Sequence, residues 1–214
     1  MNKKTLMSMM TCLVLAAMAL FLCNSCASNI AKYSIGLDTV ESPVDAKQQF
    51  GETKVVIFEE DGISKYRYED DYIDIVWYVG LKEFYFNLTN KSENTLKINW
   101  DDVSYIDIDR HAKKVAHSGA IFRDRYNSQI PTTLPKGTSI SEYLIPIDNI
   151  VFENMSIRRK YLLPCVYQTP KALKEEAPML VGQKIAIMLP FIIENIQNEY
   201  TFTFNIDKLL NELK

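Results

Sequence analysis

The sequence predicts an all-β protein, an antiparallel β-sandwich with little helix, on three observations. Short segments alternate apolar and polar residues with a period of two, compact turn signals separate them, and stretches of helical periodicity are scarce. The strand-like segments begin with KVVIFEE at Lys54, SKYRYE at Ser64, YIDIVWYV at Tyr72, KEFYFNLTN at Lys82, NTLKINW at Asn94, VSYIDID at Val103 and KKVAHS at Lys113. SISEYLIPI at Ser139, IVFENMSI at Ile150, QKIAIMLPFII at Gln183 and EYTFTFNI at Glu199 complete the series.

Alternation assigns faces. In KEFYFNLTN, Phe84, Phe86 and Leu88 share one face and Tyr85 and Asn87 the other; the inward sets are Leu96, Ile98 and Trp100 in NTLKINW, and Phe202, Phe204 and Ile206 in EYTFTFNI. The short polar connector from Asn90 to Asn94 predicts a hairpin between KEFYFNL and LKINW. Leu134 to Gly137 places proline second and glycine fourth, the pattern of a type I turn. Helix is confined to one or two turns within Thr169 to Leu180, with a possible cap from Asp207 to Lys214. QKIAIMLPFII is apolar on both faces and reads as an interior strand until Pro190, which has no N–H for the ladder and must sit at a bulge or an edge.

The first residues carry a different signal. Lys3 and Lys4 precede the nearly uncharged run Leu6 to Leu22, which ends in small and polar residues around Cys26, the layout of an export signal. Ser25 followed by Cys26 resembles a bacterial lipoprotein signal, which implies that Cys26 is acylated and becomes the N-terminus; Cys23 is the alternative acceptor. A plain secretory signal or a single anchoring helix would also explain the run, which is slightly short of the roughly 20 residues a span requires. The organisation expected is a signal over residues 1–25, a lipidated tether over 26–50, and a single β-sandwich domain over 51–214.

Composition narrows the partners. Removing residues 1–25 deletes Lys3 and Lys4 and leaves 22 basic against 27 acidic residues, a net charge of −5. Nucleic acid is disfavoured, because phosphates call for a basic face. With Cys12 and Cys23 removed and Cys26 acylated, Cys165 stands alone, no intramolecular disulfide is available, and LLPCVY reads as a buried apolar setting.

The stretch from about Trp77 to Pro146, with FNLTNKSENTLKINWDD, VSYIDIDR, KVAHSG and TLPKGTSISEYLIPID, and EYTFTF near the end, resembles poorly characterised bacterial (Bacteroidota-like) envelope lipoproteins carrying a single immunoglobulin-like β-sandwich. The resemblance implies that fold and a cell-envelope location, and transfers no activity. Ala27 in place of aspartate, and the lack of an acidic run after Cys26, imply the periplasmic face of the outer membrane.

Candidate sites are few. His111 and His117, with Asp107 and Asp109, could converge on zinc around a hairpin, but their spacing matches no standard ligand motif; one exposed and one packed histidine explains them as well. Asp101, Asp102, Asp107 and Asp109 lack EF-hand spacing, so neither metal nor other cofactor is expected. GxSxG, HExxH and GxxxxGK[ST] are all missing, and no catalytic residue is assigned. The irregular stretch Ser118 to Pro135 concentrates Arg123, Arg125 and Tyr126, residue types that dominate protein contact surfaces, and these three are the expected partner-binding residues. An Arg–Asp pair pinning the loop to its own domain would explain the same residues. Tyr66, Tyr68, Tyr72, Tyr78 and Tyr85 could form an aromatic platform, or simply reflect strand propensity. The expected function is a lipid-anchored, non-catalytic binding or assembly protein that touches the membrane through its lipid and an envelope protein or glycan through its domain. The alternatives are a carbohydrate-binding surface lipoprotein and a metal-dependent hydrolase.

Overall fold

The computed structural model describes residues 29–41, 54–153 and 155–210. Their strands are β1 (Asn29–Ile30), β2 (Tyr33–Glu41), β3 (Lys54–Glu60), β4 (Ile63–Glu69), β5 (Ile73–Val79), β6 (Phe84–Asn90), β7 (Leu96–Ile98) and β8 (Ser104–Ile106). There follow β9 (Ala112–His117), β10 (Thr132–Leu134), β11 (Ser139–Pro146), β12 (Ile150–Glu153), β13 (Ser156–Arg159), β14 (Val166–Tyr167), the helix α1 (Pro170–Glu176), β15 (Lys184–Ile193) and β16 (Ile196–Leu209). The chain is thus all-β and antiparallel, with one α-helix among the described residues. None of these residues forms a helix long and apolar enough to cross a membrane.

Twelve strands form one continuous sheet that curls on itself. One half runs β3-β4-β5-β6-β11 and the other β2-β16-β15, with β7 and β8 docked along the far side of β15. Strand β9 joins the halves: Ala112, Lys113 and Lys114 ladder with β8, while Val115, Ala116 and His117 ladder with β11. The inward faces meet over aromatic side chains. Trp77 of β5 lies 5.0 Å from Phe202 and 5.6 Å from Phe204 of β16, and Phe84 lies 5.4 Å from Phe204. Burying each such side chain contributes about 1.5–3 kcal/mol. Phe86, Leu88, Leu96, Ile98, Trp100 and Ile206 join this core, as the alternation predicts.

Several local expectations change. Segment β6 forms no hairpin with β7: it pairs with β5 and β11, whereas β7 pairs with β10 and the end of β15. The connector from Asn90 to Asn94 instead carries the chain between the halves, held by Asn90, whose amide nitrogen donates to the carbonyls of Asn94 (2.7 Å) and Leu134 (2.9 Å). The turn near Pro135 closes one residue later than expected, with the Thr138 amide on the Pro135 carbonyl (3.2 Å). Gly137 at its third position has φ +71°, which fits type II geometry and not type I. IVFENMSI is two strands, β12 and β13, which form a hairpin. Pro190 lies within β15 where β8 ends opposite Met188 and β7 starts opposite Ile192, so the side lacking a partner strand accommodates the missing N–H.

The ends change most. Residues 29–41 are not tether: β2 pairs along β16 from Leu209 to Thr201, and β1 pairs with β14. Asp207 and Leu209 continue β16 as strand, so no helical cap begins there; residues 211–214 lie outside the described residues. Helix α1 falls inside the expected window, with the Thr169 hydroxyl accepting from the Ala172 amide (3.1 Å) and Pro170 opening the first turn.

Candidate functional site

The Ser118 to Pro135 stretch leaves β9 at the inner rim of the curled sheet and returns as β10. Beneath it, His117 stacks on Trp100 at 4.2 Å with the rings 9° apart. Its Nδ1 accepts from the Gly119 amide at 3.2 Å and lies 3.5 Å from Glu142 Oε2. A Cβ on Gly119 would sit 2.6 Å from the imidazole Cε1, so only glycine permits this approach. Glu142 also accepts from the Ser118 amide (3.0 Å) and hydroxyl. Burial pushes the Glu142 carboxyl up, yet the adjacent His117 imidazole and the hydrogen bonds from Ser118 outweigh it and hold it below the usual range. A cavity of about 410 Å³ lies under the loop, with His117, Gly119, Asp124 and Gln129 among its walls.

The loop is pinned by cations on rings, not by an Arg–Asp pair. The Arg125 guanidinium carbon lies 4.6 Å from the Tyr126 ring centre and 4.9 Å from that of Phe152 on β12, and Nη1 donates to the Phe122 carbonyl (3.1 Å). Arg159 of β13 sits over Phe122 (5.4 Å) and Tyr143 (5.2 Å) and pairs with Glu83 at 2.6 Å. The structure therefore brings Arg125 and Tyr126 together with the β12–β13 hairpin, while Arg123 stands exposed on the loop. Tyr126 is 63% exposed, Phe152 44% and Ile130 85%. Phe152 was not legible as a site residue, because in sequence it is one aromatic within a strand-like run.

The histidines do not converge. His111 is exposed, with Nδ1 3.8 Å from Asp107, whereas His117 is buried against Glu142. Among the described residues, Asp107, Asp109 and His111 form the group with a metal-compatible donor set, one ligand atom each within 4.8 Å of the others. Their carboxylate is already engaged: Asp107 accepts from the amides of Asp109 (3.0 Å) and His111 (2.9 Å), and the Lys113 ammonium sits 2.8 Å from Oδ2. Burial raises the Asp107 pKa, and the Lys113 and amide hydrogen bonds more than reverse that rise. Asp101 accepts from the Ser128 hydroxyl and the Gln129 amide, and Asp102 from the Asn99 amide nitrogen, so both serve loop structure.

Tyr66 and Tyr68 are core residues, and Tyr72 packs against that core. Tyr78 and Tyr85 face outward, stacked at 5.4 Å and 17°, with Tyr143 edge-on to Tyr85 at 6.3 Å. Burial and the Glu83 carboxylate, to which its hydroxyl donates, push Tyr85 up to about 12. A shallow cleft of about 290 Å³ beside this strip is edged by Lys65, Asn87 and Ser141. Cys165 is buried and free, its thiol pushed up to about 11 by desolvation. Cys26 lies outside the described residues. Comparison with known proteins finds no matching family model, no matching curated protein and no matching solved structure.

Proposed function

We propose that this chain is a lipid-anchored, non-catalytic binding or assembly component of a bacterial cell envelope, held through Cys26 at the periplasmic face of the outer membrane, and related to the envelope lipoproteins its motifs resemble. The immunoglobulin-like sandwich is the finer reading of its curled sheet. Two facing antiparallel halves support it, and the uninterrupted meander β3 to β6 is the feature that departs from a Greek-key order.

The observation that carries the reading is the Arg125 guanidinium held between two exposed rings from separate elements, Tyr126 on the loop and Phe152 on the hairpin. Arginine and aromatic side chains dominate contact surfaces, and here they are pre-positioned, with Arg123 and Ile130 exposed on the same loop. A photo-reactive amino acid at Tyr126, introduced in cells, is expected to yield one discrete adduct that weakens in the Arg123→Ala, Phe152→Ala background. The same probe at Lys136, on another surface turn, should yield none. Equal adducts at both positions would sink the assignment. Cys26→Ala should leave the precursor unprocessed and abolish lipid labelling; continued labelling would move the anchor to Cys23.

One observation favours a carbohydrate ligand as a second reading. The Tyr78, Tyr85 and Tyr143 strip flanks a cleft with amide, hydroxyl and ammonium groups from Asn87, Ser141 and Lys65. Soluble cell-wall glycan fragments binding the purified domain, with loss in Tyr78→Ala, would shift the assignment to this face.

A further inference from the structure

We propose that the pole of the molecule formed by β1, β14 and the start of β2 lies directly against the lipid bilayer, as a membrane-contact surface in its own right. The proposal rests on the lipid-anchor reading. From Cys26 to Asn29 is three residue steps, which span at most roughly 11 Å when fully extended. Asn29 is fixed in the fold: it pairs with Tyr167, Ile30 pairs with Val166, and the Ala31 amide donates to the Cys165 carbonyl at 2.7 Å. An acylated Cys26 therefore cannot hold the domain clear of the membrane.

The surface at that pole suits this occupant. Leu81, Val166, Met179 and Leu210 are all large apolar residues exposed by half or more. Leu81 and Leu210 are tied to this pole by the Leu162 amide on the Leu81 carbonyl (3.0 Å) and the Leu210 amide on the Lys32 carbonyl (2.7 Å), Val166 by its pairing with Ile30, and Met179 by the turn after α1, whose Ala177 packs against Ala31 and Cys165. A cavity of about 540 Å³ opens beside Leu81 and Leu210, its walls including Ile35, Val79, Leu162 and Leu163. Lys32 stands exposed at the cavity and Lys174 on α1, beside the Lys171–Glu175 pair at 3.8 Å; the stems of such lysines can lie along apolar surface with the ammonium at headgroup level. The opposite pole carries the turns at Glu194–Asn195 and Lys136–Gly137, and β16 runs between the poles for thirteen steps, roughly 43 Å.

The test uses the full-length, lipidated protein in phosphatidylethanolamine–phosphatidylglycerol vesicles. An environment-sensitive fluorophore is placed on Val166→Cys, Met179→Cys, Leu210→Cys or Lys136→Cys, with Cys165 left in place because its thiol is buried. Val166, Met179 and Leu210 labels are expected to shift to the blue and lose emission about twofold to quenchers in the acyl region, with Lys136 unchanged. With Cys26 shown by mass to be acylated, equally aqueous emission at all four sites would overturn the membrane contact and leave the anchor standing. Unacylated Cys26 would overturn the anchor and the reach argument together. A concentration-dependent blue shift of these labels without vesicles, in unlipidated protein that begins at residue 27 and so lacks the apolar run Leu6 to Leu22, would show that a second copy covers the pole, and would also overturn it.

Discussion

Asp70 is the most consequential charged residue in the core. Its Oδ1 accepts from the amides of Tyr72 and Ile73, both at 2.8 Å, and its Oδ2 from the hydroxyls of Tyr200 (2.9 Å) and Tyr68 (3.1 Å). Burial nonetheless dominates and raises its pKa above the ordinary 3.8. The native state therefore binds more protons than the unfolded chain in the window above 3.8. This residue's contribution is full below that value and declines as pH rises through the folded pKa. Asp70→Ala, which removes the acceptor shared by two tyrosine hydroxyls and two amides, is expected to cost about 3–5 kcal/mol at neutral pH. Asp70→Asn keeps an acceptor and removes the charge; it should cost about 1–2 kcal/mol and remove this residue's decline with pH, read by urea unfolding across the acid range. A steeper decline in Asp70→Asn than in the parent would refute the sign. None of this was legible locally, because Glu69, Asp70 and Asp71 look alike until Tyr200 arrives from 130 residues away. The same holds for the histidines: the sequence allowed one packed and one exposed, but Trp100 and Glu142, which pack the former, are distant in the chain.

Within elements, alternation was a sound guide to which face a side chain takes and a poor one to which strand lies beside it. Phe86→Ala and Trp100→Ala should each cost about 3–5 kcal/mol through the cavity they leave, whereas Tyr85→Ala, only partly buried on the outer face, should cost much less. Equal losses at Phe86 and Tyr85 in chemical denaturation would contradict the register that pairs Phe86 with Trp77 and Tyr85 with Tyr78. The misassigned β6–β7 hairpin shows the limit. A five-residue polar connector is compatible with a tight turn and equally with a crossing between two halves of a curled sheet. The choice is made by Asn90, whose side chain reaches the carbonyls of Asn94 and Leu134. The β12–β13 turn was hidden for another reason: Met155 adopts φ +60°, a conformation methionine does not advertise.

Across the whole molecule, the boundary of the folded unit lies earlier than composition suggests. Gly36 and Asp38 dilute the β signal of β2; an added Cβ at Gly36 would sit 2.5 Å from Asp207 Oδ2, so the Asp207 carboxylate occupies the space that glycine leaves. A chain beginning at residue 51 would lose β2, bare the edge of β16 and remove Leu37 from the core. It should show no cooperative thermal transition, while a chain beginning at residue 27 should show one; a sharp transition in the shorter chain would return β2 to the tether. Strand β9 has a related effect on how the whole comes apart. Because its first three residues ladder with one half of the sheet and its last three with the other, parting the halves breaks the ladder on one side of β9 or the other, along with the contacts of Trp77 with Phe202 and Phe204. Amide exchange in β5 and in β16, on opposite halves, is therefore expected to slow and quicken together, and unequal opening free energies for the two strands would show that β9 parts before either half unfolds.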